Sequence, residues 1–150
     1  MSNLSAMTRS RLWEAGCEQL PFSERHYYNK DSKITVSIVL YTDLTTRVQV
    51  RAKLDTGSDF CVFQPYQAAV LGLELESGVM QRIRTAIGSF VAYGHEVTIT
   101  VLNLEWQATV YFAEPSNFPV NVVGRIGFLD HIRMGLVDYD RVLYLADYNK

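Results

Sequence analysis

Two stretches of period-two alternation set the character of this chain, and the second runs straight into Asp55-Thr56-Gly57-Ser58. In the first, Ile34, Val36, Ile38 and Leu40 alternate with Thr35, Ser37 and Val39, and in the second Val48, Val50, Ala52 and Leu54 repeat the pattern. Successive side chains of an extended chain point to opposite faces, so both stretches read as strands joined by a polar turn over 42–46. An aspartate where such a strand ends is either turn punctuation or a catalytic carboxylate. Asp, Thr, Gly and Ser are ordinary turn residues, and this combination arises by chance in roughly a few per cent of chains this long. Residues elsewhere have to decide.

The remaining pattern is also β-rich. Residues 82–91, 96–102 and 106–112 read as three further strands, and 134–137 with 142–145 flank the polar Asp138-Tyr139-Asp140-Arg141 as a closing hairpin. Two short helices are expected. One lies over 66–73, with Pro65 at its start and Gly72 near its end. The other lies over 126–132, where Ile126, Leu129 and Ile132 form an apolar stripe. Residues 1–30 are mixed and polar, and read as a short helix or loose arm preceding a domain over 31–150.

With 150 residues and 48% hydrophobic content the chain can bury one core. Its net charge of −2, with Lys and Arg scattered, argues against a nucleic-acid groove or an anionic membrane surface. No apolar run approaches the roughly 18 residues needed to span a bilayer, so no membrane insertion is expected. Cys17 and Cys61 form no CxxC pair and suggest a reducing, cytoplasmic setting. Ala15-Gly16-Cys17 is not expected to be a lipoprotein cleavage site, because Trp13-Glu14 precedes it and no apolar stretch of roughly 7 or more residues lies upstream.

Three elements in order resemble the retropepsin-like aspartic proteases, the single-domain relatives of pepsin found in retroviruses, cells and bacteria. They are Leu54-Asp55-Thr56-Gly57-Ser58-Asp59, the glycine-containing Thr85-Ala86-Ile87-Gly88-Ser89, and Val122-Val123-Gly124 followed by Arg125. The resemblance covers about residues 33–145. It implies an all-β, closed-barrel domain with one short C-terminal helix, working as a homodimer on a peptide or protein substrate without metal or cofactor.

Metal-free peptide hydrolysis needs one carboxylate to take a proton from water and one carboxylic acid to protonate the substrate. Two unit charges 4 Å apart repel by about 4 kcal/mol at an effective dielectric of 20, so a carboxylate pair tends to share one proton. This chain has only one Asp-Thr-Gly. The resemblance therefore implies that Asp55 is donated by each of two subunits to a site on a two-fold axis.

In the family the Thr56 position hydrogen-bonds across the pair, and Gly57 admits close backbone approach. Gly124 would permit tight packing of the apolar crossing beneath the loop. Asp59 and Arg125 would form an ion pair near the dimer interface. Residues 82–93 would be a flap with its tip at Ile87 and Gly88, and Asp59 and Val122 would help bind substrate. Phe60, Val62, Ile87 and Val122 suggest apolar pockets. Ser58 stands where retroviral members usually carry Ala, and is expected to donate a hydrogen bond to the ionised pair and favour acidic activity.

Other chemistries fit less well. His26, His95 and His131 are isolated, with no HExxH, so a zinc site is not expected. Neither a GxSxG elbow nor a phosphate-binding GK[ST] loop is present. Two alternatives stay open: a catalytically silent retropepsin-like module that dimerises or binds peptide, since fold alone does not ensure activity, and an unrelated small β-barrel with a chance turn motif.

Overall fold

The computed structural model describes residues 19–29 and 33–149. Ten strands account for most of them: β1 Glu24–Tyr27, β2 Thr35–Tyr41, β3 Arg47–Leu54, β4 Val62–Phe63, β5 Val79–Thr85, β6 Gly88–Val101, β7 Leu104–Ala113, β8 Val122–Val123, β9 Ile132–Val137 and β10 Val142–Asp147. One α-helix, α1 Pro65–Val70, lies between β4 and β5. The described residues are thus mostly β-strand with one short α-helix.

The alternation does what the sequence leads one to expect. Val36, Ile38 and Leu40 on β2 and Val50, Ala52 and Leu54 on β3 are buried, while their neighbours are wholly or partly exposed. The two strands pair antiparallel from Thr35 opposite Lys53 to Tyr41 opposite Arg47. The turn between them is closed by Asp43, whose carboxylate accepts hydrogen bonds from the Thr45 hydroxyl and from the Thr45 and Thr46 amides. Those bonds hold its pKa below the usual carboxylate value.

Seven strands form one sheet in the order β2-β3-β8-β4-β7-β6-β5, and β2 also pairs with β6 at residues 39–41. Val97, Ile99 and Val101 from β6 meet Phe63, Phe112 and Phe128 in one buried cluster with the β2 and β3 residues. Burying a side chain of this size is worth about 2 kcal/mol, so this cluster carries much of the stability. A second sheet, β1-β10-β9, is antiparallel throughout.

Four local expectations change, the first being that the strand expected over 82–91 is split by the turn at Ala86 and Ile87 and its second half runs on through the strand expected over 96–102 as β6. Within the polar arm, the described part holds a strand, Glu24–Tyr27, paired with Val142–Leu145 of β10, while residues 1–18 lie outside the described residues. The helix expected over 66–73 spans Pro65–Val70, and Gly72 follows it at φ +72°. The C-terminal helix expected over 126–132 is absent. Gly127 sits at φ +97°, which a right-handed helix excludes, and only a single 3-10 turn, Leu129–His131, forms there. Phe128 takes the core position instead.

Candidate active site

β8 lies between β3 and β4, although it follows both in sequence by some sixty residues. It runs parallel to β3, with Lys53 opposite Val122 and Leu54 opposite Val123, and antiparallel to β4. The loop 55–61, joining β3 to β4, must therefore cross the end of β8. Asp55 is fixed at the start of that crossing by its amide, which donates to the Val123 carbonyl at 3.0 Å.

Within the loop, the Gly57 amide donates to Asp55 Oδ1 at 3.0 Å and the Ser58 amide to the Asp55 carbonyl at 3.1 Å. The Asp55 carboxylate is half-buried, with Oδ2 4.0 Å from the Lys53 ammonium. The loop's far side is tied to the chain after β8: the Arg125 amide donates to Ser58 O and the Ile126 amide to Asp59 O, each at 2.9 Å.

Gly124 belongs to this crossing. A Cβ there would lie 2.5 Å from Ser58 O and 2.6 Å from Phe60 O, so only glycine fits. Cys61, fully buried behind the loop, accepts from the Gly124 amide and donates to Ile126 O. Burial pushes its thiol up to about 12, which marks it as a packing residue and not a nucleophile.

A groove of about 550 Å³ opens above Asp55. Its floor is made by Asp55, Gly57, Ser58, Val62 and Val122, and one wall by Phe118 and Val120. Residues 83–86 and Phe90 of the β5–β6 hairpin form the other side. The hairpin's register runs from Val79 opposite Gly94 to Thr85 opposite Gly88, leaving Ala86 and Ile87 as the turn. Phe90 packs at a tilt against Phe118 with ring centroids 5.0 Å apart, which joins hairpin to wall.

The sequence-derived site residues divide into groups. Asp55, Gly57, Ser58, Val62 and Val122 converge on the groove. Asp59, within the loop, and Arg125 meet at 3.5 Å, both about 68% exposed and outside the groove lining. Thr56 is exposed at the turn, Ile87 is 99% exposed at the hairpin tip with Gly88 beside it, and Phe60 packs edge-on against Tyr111. The Ser58 hydroxyl donates to Phe60 O at 2.8 Å, so the expected bond to the Asp55 carboxylate is not made.

Phe90, Phe118 and Val120 were missed because loop and hairpin residues carry no period that reveals which face they cover. Asn121 was missed as well: it is buried, and its side chain accepts from the Gln64 amide at 2.8 Å, bracing β4 beside the groove.

Sheet order, the crossing loop and the hairpin over it define a retropepsin-like fold. A retropepsin-like aspartic protease from Rickettsia conorii matches the structure with a TM-score of 0.61 and 15% identity, over 85% of this chain and 100% of that one. EIAV protease, solved with an inhibitor, matches with a TM-score of 0.51 and 20% identity, over 67% of this chain and 88% of the other. No protein-family model and no curated protein matches the sequence. Among the described residues, no helix is long and apolar enough to cross a membrane.

Proposed function

We propose that this chain is an aspartic endopeptidase whose catalytic pair is Asp55 from each of two copies. The observation that carries the reading is the single carboxylate held at the floor of the groove by the crossing of loop 55–61 over β8. General acid-base hydrolysis needs two such groups, and the chain supplies one. A two-fold axis beside Asp55 supplies the second, with the terminal sheet β1-β10-β9 as the surface for the partner copy.

In this reading the β2–β6 pairing closes the larger sheet into a barrel. The two carboxylates share one proton because two charges in contact are costly. The ionised member takes a proton from water as the water attacks the scissile carbonyl. The protonated member hydrogen-bonds that carbonyl and later returns a proton to the leaving amine. The β5–β6 hairpin acts as a flap over an extended peptide bound as an added strand, and the apolar residues Ile83, Phe90, Phe118 and Val122 exclude water. The free, buried thiol of Cys61 suits a reducing compartment such as the cytoplasm.

The test is cleavage of a peptide library by the wild-type chain and by Asp55→Asn, with binding of a hydroxyl-containing peptide isostere measured alongside. The reading predicts cleavage and tight binding that Asp55→Asn abolishes. Isostere binding without turnover would instead indicate a silent peptide-binding module.

A further inference from the structure

Lys53 stands two residues before Asp55 on β3, so strand alternation points both side chains to the same face. Its neighbours Ala52 and Leu54 are buried on the opposite face. Its ammonium lies 4.0 Å from Asp55 Oδ2, its side chain is 38% exposed, and its partner in the parallel ladder is Val122, which lines the groove. Lys53 thus sets a cation beside the carboxylate at the groove floor, and the lining itself carries one further cation, Arg84 on the hairpin side, among residues that are otherwise apolar or neutral apart from Asp55.

Charge counting then points to the substrate. On the reading proposed above, two copies bring two Lys53 ammoniums to a carboxylate pair that shares one proton. At the floor two positive charges then face one negative charge, and Arg84 on the hairpin side adds to the positive excess. A peptide laid along the groove displaces water from that surplus cation, and an ammonium losing its hydration needs an anionic partner. The lysine stem is long enough for its head to turn from Asp55 toward a side chain next to the scissile bond.

We infer that Lys53 selects peptides carrying an aspartate or glutamate at a position directly flanking the scissile bond. This rests on the peptidase reading and adds the substrate class. A lysine serving only as a solvated surface charge would leave selectivity untouched.

The experiment compares kcat/KM for matched peptides that differ only by Glu or Gln at each flanking position, using wild type, Lys53→Met, Lys53→Arg and Lys53→Glu. Wild type is expected to favour Glu by about fivefold, the scale of one ion pair. The ratio should fall to about one in Lys53→Met, persist in Lys53→Arg, and invert to favour Gln in Lys53→Glu. An Asp55-dependent activity indifferent to Glu or Gln, or a preference unchanged in Lys53→Met, overturns the inference and leaves the peptidase reading standing. Absence of cleavage and of isostere binding across all series overturns both.

Discussion

The Gly124 Cα sits so close to the Ser58 carbonyl that a Cβ would come within 2.5 Å of the oxygen, while the next amide, Arg125, donates to that same oxygen at 2.9 Å. One residue after β8 thus provides the space and its neighbour the bond that fix the loop bearing Asp55. Gly124→Ala should displace the loop and destabilise the chain by about 2 kcal/mol, the usual cost of overpacking a tight site. Urea unfolding measures this directly, and an unchanged midpoint would mean that the loop yields freely.

Ser58→Ala removes a hydroxyl whose bond goes to Phe60 O and not to the Asp55 carboxylate. The pH dependence of kcat/KM should therefore stay where it is in wild type, and stability should fall by about 1 kcal/mol for the lost hydrogen bond. A shift of the acidic limb to higher pH would show that the hydroxyl serves the carboxylates after all.

Arg125 and Asp59 form a 3.5 Å pair that water reaches from most sides. Such a pair adds at most about 1 kcal/mol to a single chain, so Arg125→Ala should barely move the unfolding transition. If the pair supports a dimer interface, the dimer dissociation constant rises by about fivefold, measurable by sedimentation. An unchanged constant would confine the pair to the loop surface.

Ile87, 99% exposed at the hairpin turn, is an apolar side chain without cover in the free chain. Substrate closing beneath the tip would bury it. Ile87→Ser should raise KM by about tenfold through that lost burial while leaving thermal stability unchanged. Equal KM values would make the hairpin a surface feature and not a flap.

Strands whose two faces differ were plain from the residues. Val36, Ile38 and Leu40, like Val50, Ala52 and Leu54, face one core, so period two survives in the sequence. β1 gave no such signal, because Glu24, Arg25, His26 and Tyr27 form it by backbone pairing with β10 and bury none of their side chains fully. The stripe Ile126, Leu129 and Ile132 suggested a helix that Gly127 at φ +97° prevents. Among the residues at the groove and its loop, the positions of Asp55 and Gly124 were legible, because one directly follows an alternating strand and the other must lack a side chain. Ser58 was not, since its hydrogen-bond acceptor depends on how loop 55–61 crosses β8. Lys53 was open to the same alternation that gave Asp55 its position, two residues along one strand face.

The central claim is a site made of two Asp55 carboxylates from two copies, and subunit mixing tests it most directly. Wild-type chain is refolded with a growing excess of Asp55→Asn chain, and peptide cleavage is measured per wild-type chain. Random pairing predicts a fall to about one tenth at roughly ninefold excess, because almost every wild-type chain then has a partner without the carboxylate. Cleavage per wild-type chain that stays constant at every ratio would contradict the shared site.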